Sequence, residues 1–326
     1  MTKRGFSMIK RIGLFLCVNF VVLLTIGFLI SLTGVDRWLT AEGIDYARLL
    51  GFSAVFGFAG SVISLLMSKS IAKMSMGARV ISEPRNETEA WLTRTVAELA
   101  QKAGVGMPEV AVYDGSANAF ATGAFRDDAL VAVSTGLLQS MTRPQIRAVL
   151  AHEMSHVKNG DMVTMTLVQG VLNTFVFFFA RVVALFLDSN RNGDGRERSS
   201  GGFGYYFTVR IFEAVFGILA SVLTCAFSRR REYRADAGAA DLLGSPDDMI
   251  DALRALGKAD VRGLPSEIKA FGIVDVPSFA ELFATHPPLS ARIKALSVGA
   301  DRAVKRKPNR TGGLFGSVSN KENPWN

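Results

Sequence analysis

Cysteine and histidine are both scarce, with two and three copies in 326 residues. Cys17 and Cys225 both fall inside apolar runs, so neither a disulfide, a cysteine-based metal centre nor a cysteine nucleophile is expected. Charge is sparse as well, at 20% of residues against 49% hydrophobic. Mean hydropathy is positive, which argues against an ordinary soluble domain and for membrane spans. A formal net charge of +8 would suit a nucleic-acid partner. Much of that excess, however, sits at the ends of apolar runs and in the last 26 residues, where membrane orientation accounts for it, so no nucleic acid is expected.

The apolar residues fall into four blocks. The first, 12–32, is broken only by Asn19 and small hydroxyl residues and follows Lys3, Arg4, Lys10 and Arg11. It lacks a small-x-small cleavage site and exceeds a signal-peptide core in length, so it reads as a retained anchor. The second, 49–67, is uncharged and is followed by Lys69 and Lys73; between the two, Asp36, Glu42 and Asp45 outnumber Arg37 and Arg48. Basic ends around an acidic connection place the N-terminus and the segment after Met67 on the cytoplasmic side. The third and fourth blocks, 163–187 and 207–227, carry Gln169, Asn173, Arg181, Arg210 and Glu213. They are either spans or two buried helices of a soluble domain. As spans, they hold Arg181 and Glu213 at matched depth, each six residues from the same end, as candidate partners. Arg229, Arg230 and Arg231 follow the fourth block and fit a cytoplasmic exit. The stretch 190–204 between them is rich in Gly, Ser, Asn and charge and reads as a loop. The tail, with Lys305, Arg306, Lys307 and Arg310, reads as a solvated segment or a contact for anionic lipid.

Between the apolar blocks the sequence is that of a mixed domain. Trp91, Val96 and Leu99 mark a helix over 87–103 closed by Gly104, and 109–113 and 129–134 are short β-rich runs of a small sheet. Thr142 and Gln145 form a capping box, Pro144 suits a first turn, and Asn159-Gly160 supplies the stop of a further helix. That helix holds His152-Glu153-Met154-Ser155-His156, which uses two of the three histidines. Residues four apart share a helical face, so both imidazoles reach one ion while Glu153 stands beside it as general base. A catalytic zinc site needs a third protein ligand. Glu232 and Asp236, four apart in a helix beginning near Arg231, offer one carboxylate for metal and one for the distal nitrogen of a ligand histidine. An ordinary acidic helix start explains them equally well from spacing alone. His286, before Pro287-Pro288-Leu289 and a helix-like run over 290–296, is either structural or catalytic. Asn118 lies in a polar, small-residue stretch that reads as a turn.

Four segments together resemble the HtpX-type membrane metalloproteases, relatives of the CAAX prenyl proteases. They are His152-Glu153-x-x-His156, Glu232-x-x-x-Asp236, Asn118-Ala119-Phe120-Ala121-Thr122-Gly123 and Thr285-His286-Pro287-Pro288-Leu289. The resemblance implies Glu232 as third zinc ligand, Asp236 as the carboxylate behind a ligand histidine, His286 as an active-site group that stabilises the oxyanion, and Asn118 at the substrate cleft. Two stretches depart from the pattern. Arg126-Asp127-Asp128 replaces a more basic run, and 189–204 is unusually rich in charge and Gly, which bears on substrate preference rather than on chemistry.

The fold expected is a mainly α membrane protein, with about four transmembrane helices and a cytoplasmic zincin-like α+β protease domain containing a small sheet. Its parts would be a transmembrane hairpin at 1–68, protease segments at 69–160 and 229–300, a second hairpin at 161–228 and the basic tail at 301–326. The activity implied is that of a zinc endopeptidase with one Zn2+ per chain, multi-pass in a bacterial inner membrane. It would cut misfolded or damaged membrane proteins on the cytoplasmic side as part of a stress response. A processing peptidase for specific termini is a second reading, weakened by the modest span content. A non-catalytic scaffold with structural zinc is a third, and Glu153 argues against it, since a structural site needs no base.

Overall fold

A computed structural model describes residues 45–191, 203–263 and 284–306. The apolar run at 12–32 and most of the loop at 190–204 lie outside the described residues. Helix α1, Tyr46–Met76, starts where the Asp45 carboxylate accepts the N–H groups of Ala47 and Arg48. It ends at Gly77, whose φ of 58° is a conformation that costs only glycine nothing. Its 31 residues extend about 46 Å, more than the roughly 30 Å of hydrocarbon, so the last turns project beyond the apolar layer. There Lys69 pairs with Glu109 at 2.8 Å and with Asp128, and Lys73 pairs with Glu109, fastening α1 to the sheet that follows.

The sheet has four strands, β1 (Arg79–Val80), β2 (Glu109–Tyr113), β3 (Ala119–Phe125) and β4 (Asp128–Ser134), in the order β1-β2-β4-β3. The β2–β4 pair is parallel and the other two pairs are antiparallel. Strand β4 is central and buried from Ala129 to Ser134, which explains its unbroken apolar run. Strand β3 is at the edge. The stretch read as a turn from sequence therefore becomes extended one residue after Asn118, because β4 supplies pairing partners for it. Between β1 and β2 lies α2 (Glu87–Ala103), capped by Asn86 and closed by Gly104; Leu92, Val96 and Leu99 are fully buried. A short α3 (Thr135–Ser140) leads to α4 (Arg143–Asn159), whose Thr142 N–H bonds to the Gln145 side chain at 3.0 Å and whose end is set by Gly160 at φ 65°. Ile146, Leu150 and Met154 of α4 join the α2 leucines in one apolar core. Each such side chain contributes about 1.5–3 kcal/mol.

Helix α5 (Asp161–Arg191) follows at once, then α6 (Phe203–Leu243), α7 (Asp247–Gly263) and α8 (Leu289–Arg306). Among the described residues three helices, α1, α5 and α6, are long and apolar enough to cross a membrane. They expose large apolar side chains, such as Phe56, Leu66, Phe186, Ile218 and Leu219, as a lipid-facing surface would. The sequence separates a fourth span from a later helix beginning near Arg231. In the structure they are one helix of 41 residues, because no Gly or Pro interrupts 218–237. The consequence is mechanical: Glu232 is carried on a direct continuation of a membrane helix.

Within the bundle α1 and α5 approach closely. A Cβ at Gly57 would lie 2.6 Å from the backbone nitrogen of Thr174, and one at Gly170 would lie 2.5 Å from the Phe58 ring. Polar side chains satisfy one another there: Thr224 donates to Gln169 at 3.4 Å, Gln169 to Asn173 at 2.8 Å and Asn173 to Ser61 at 3.3 Å. The matched charges also meet, with Arg181 Nη1 3.2 Å from Glu213 Oε1. Arg181 further donates to the Phe177 carbonyl and lies over the rings of Phe52 and Phe177.

Candidate metal centre

Helix α4 turns its HExxH face toward α6, and the two run close because Gly238 faces Ser155. A Cβ on Gly238 would stand 2.1 Å from Ser155 Oγ. This contact brings Glu232 under the two histidines. Ligand atoms of His152, His156 and Glu232 all lie within 4.8 Å of one another, and all three residues are buried. Nε2 of His152 is 3.3 Å from Glu232 Oε2, and Nε2 of His156 is 3.3 Å from Oε1.

The other face of each ring fixes its tautomer. Nδ1 of His152 lies 2.9 Å from Asp236 Oδ1, and Nδ1 of His156 lies 2.6 Å from Asp161 Oδ2. With both Nδ1 atoms donating outward, both Nε2 lone pairs point at the same place, only 3.2 Å apart. Two lone pairs and a carboxylate facing one point repel unless a cation or protons lie among them. Glu232 Oε1 is buried with no hydrogen-bond donor among the described residues. The donor set and this orphaned oxygen fit a divalent ion of the zinc type, for which two imidazoles and one carboxylate are a common catalytic shell. Without the ion, protons take its part. Burial disfavours charge on His156, but the hydrogen bond to Asp161 and the nearby Glu232 carboxylate outweigh it and push the pKa up to about 9. Burial likewise opposes charge on His152, yet Asp236 and Glu232 raise its pKa.

The remaining expected residues separate into near and far. Glu153 follows His152 on α4, and its Oε2 accepts the backbone N–H of Ala121 in edge strand β3 at 2.9 Å. Asp236 touches His152, as described. His286 reaches in from the segment before α8, its Nδ1 2.9 Å from Glu232 Oε2, while its side chain is 63% exposed. Asn118 is not part of this cluster; its backbone N–H and carbonyl both bond to Ser134. The member of that stretch that reaches the centre is Ala121.

Sequence reading missed three residues. Arg292 is buried and grips Asp236 by two bonds, at 2.8 and 2.6 Å. Its signal was legible: it falls between Leu289, Ile293 and Leu296 on the apolar face of α8, where an arginine needs a buried partner. Asp161 and Arg234 gave no such signal, since an acid at a helix start and an arginine after a span are both ordinary.

The sequence pattern of peptidase family M48 matches residues 86–299, which includes every residue of the centre. The chain belongs to peptidase family M48. Curated relatives of the family named "Protease HtpX homolog" are 58% identical over 287 residues, covering 88% of this chain and 98% of theirs. They come from Janthinobacterium sp. (strain Marseille) and from Chlorobium phaeobacteroides. The HtpX resemblance of the sequence therefore holds across most of the chain, and the protein is an HtpX-type membrane metalloprotease. Among solved structures, S. mikatae Ste24p shares the fold at a TM-score of 0.57 and 22% identity. The match covers 86% of this chain, which spans only 66% of that one.

Proposed function

We propose that this family member is a zinc endopeptidase of the bacterial inner membrane that cuts misfolded or damaged membrane proteins on the cytoplasmic side. His152, His156 and Glu232 would hold one zinc ion. The observation that carries the reading is the convergence of their ligand atoms within 4.8 Å beside Glu153. Bound there, zinc would supply Lewis acidity for activating water and polarising a peptide carbonyl. The chain's own residues do the rest. The Ala121 N–H holds Glu153 by Oε2, leaving Oε1 to take the proton of the attacking water and return it to the departing amine. Asp236 holds the His152 ring, and His286, exposed at the rim, is the proposed donor to the oxyanion. Among the described residues strand β3 pairs on one side only, so an extended peptide can add along its other edge, with Asn118 at the start of that strand as a substrate contact.

The site lies beside the bilayer because α4 runs through Gly160 into α5 and Glu232 continues α6. The basic residues at the projecting ends, Lys69, Lys73 and Arg229 to Arg231, favour a cytoplasmic site. On this topology 1–68 and 161–228 form membrane hairpins, while 69–160 and 229–300 form the two halves of the protease domain, followed by the basic tail at 301–326. Purified in mild detergent, the chain should hold zinc and cleave casein, and a chelator should remove both; cleavage that survives metal removal overturns the mechanism. For topology, a cysteine at position 200, in a background lacking Cys17 and Cys225, should react with an impermeant reagent on intact cells. Reaction only after permeabilisation would mean that the third and fourth apolar blocks do not cross the membrane.

A further inference from the structure

His156 is held by a carboxylate that none of the sequence motifs contains. Asp161 follows directly on Gly160, whose left-handed conformation ends α4 and turns the chain back so that the first side chain of α5 faces the ring five residues earlier. Asp161 is fully buried, and its two oxygens have separate partners. Oδ2 meets His156 Nδ1 at 2.6 Å, and Oδ1 meets Arg234 Nη2 at 3.2 Å, with Arg231 Nε 4.0 Å from Oδ2. The arrangement repeats on the opposite side of the centre, where His152 meets Asp236 and Asp236 is gripped by Arg292. Each of the two histidines of α4 thus has a buried carboxylate behind it and an arginine behind the carboxylate.

An acid in the first turn of a helix is ordinarily a solvated partner of the helix dipole. Asp161 departs from that in being sealed from solvent and aimed at the Nδ1 of a ring whose Nε2 faces Glu232. We propose that Asp161, held by Arg234, is the positioning residue of His156: it fixes the ring's Nδ1–H tautomer and orientation and so sets metal affinity. Because Asp161 opens α5 and Arg234 extends α6, the same pair ties the metal site to the packing of two membrane helices. The proposal rests on the metal reading above.

The test uses the full chain in detergent, with zinc affinity measured by competition against a chromophoric chelator. Asp161→Asn keeps the shape and removes the charge, and is expected to weaken zinc binding by about 10–100-fold, the range typical for such outer partners. A structural role alone would not change the ring itself. Three histidines make selective 15N labelling readable. The zinc-loaded wild type should show a solvent-protected Nδ1–H on His156, and Asp161→Asn should lose that protection while His152 keeps its own. If Asp161→Asn does not fold, Arg234→Gln carries the test, since it leaves the His156 contact in place; it should weaken zinc binding in the same direction but less than a direct outer partner would. Wild-type affinity and an unchanged His156 signal in the folded variant overturn the proposal while leaving the metal reading intact. A wild type that takes up no zinc overturns both.

Discussion

Ala121, on the edge strand β3, donates its backbone N–H to Oε2 of Glu153 at 2.9 Å. The base is thus oriented by the strand proposed to receive substrate, while the metal-facing groups are oriented from α5, α6 and α8. Glu153 and Glu232 should separate cleanly in experiment. Glu153→Gln is expected to keep zinc at wild-type stoichiometry and lower kcat by at least about 100-fold, the scale of a lost general base. Glu232→Ala should lose zinc and activity together. Metal analysis of both purified variants decides it, and equal zinc retention would remove Glu232 from the ligand set.

The protonated state of His156 predicts how pH enters. Ligation needs the Nε2 lone pair, and with a pKa of about 9 the ring is charged at pH 7.5 without metal. Zinc uptake at that pH should therefore release at least one proton per ion. Calorimetry in buffers of different ionisation enthalpy measures the number, and a value of zero would contradict a protonated His156 held between Asp161 and Glu232. Stability of the chelated protein follows the same sign. The folded pKa lies above the unfolded value of about 6.5, so this contribution is complete below about pH 6.5 and is lost as pH rises through 9. The Tm of metal-free wild type should fall over that window, and that of His156→Gln should fall less.

Gly238 sets the distance between α4 and α6. Gly238→Ala would force its methyl within 2.1 Å of Ser155 Oγ and 3.1 Å of its Cβ, so the helices must part or Ser155 must move. Overpacking of this kind costs about 1–3 kcal/mol. Zinc affinity should drop with stability, because Glu232 moves away from the histidines. Adding Ser155→Ala removes the nearer of the two atoms and should restore part of both losses. A lone Gly238→Ala variant with wild-type zinc affinity would mean that the crossing is fixed elsewhere.

The sequence made legible whatever is local. The capping box of Thr142 and Gln145, the Gly104 and Gly160 stops and the i, i+4 spacing of His152 and His156 are properties of single helices, and all appear as read. The groups brought from a distance were harder. The Ala121 N–H carries no side-chain signature, and its role appears only when β3 pairs with β4 and is laid across α4. Asp161 is adjacent in sequence to its target, yet an acid at a helix start has a common explanation that hid it. The break expected before Arg231 rests on a change in polarity. A helix that leaves the hydrocarbon changes its side chains at that boundary without changing its backbone, so α6 continues through it.

Arg181 and Glu213 pair where α5 meets α6. Glu213 is shared: its Oε1 meets Arg181 at 3.2 Å and its Oε2 meets Arg210 at 2.7 Å. A simple charge swap would set a new arginine at position 213 against Arg210, so neutral substitutions give the cleaner reading. Arg181→Met leaves Glu213 with the exposed Arg210, whereas Glu213→Gln leaves Arg181 with a carbonyl and two aromatic rings inside the bundle. Glu213→Gln strands a charge where desolvation is costly, Arg181→Met leaves Glu213 with only its exposed partner, and removing both should be milder than the sum. A double-mutant cycle on stability should therefore show coupling of about 1 kcal/mol, within the range measured for polar contacts between membrane helices. Arg210→Gln, at an exposed position, should do little. Because α5 begins at Asp161 and α6 carries Glu232, a shift in the register of these helices reaches the metal. Each single variant is expected to weaken zinc binding by a few-fold, and the double variant should recover part of the loss. Additive losses in both stability and zinc affinity would mean that Arg181 and Glu213 act independently and that the hairpin is held by close packing and the Gln169–Asn173 amides instead.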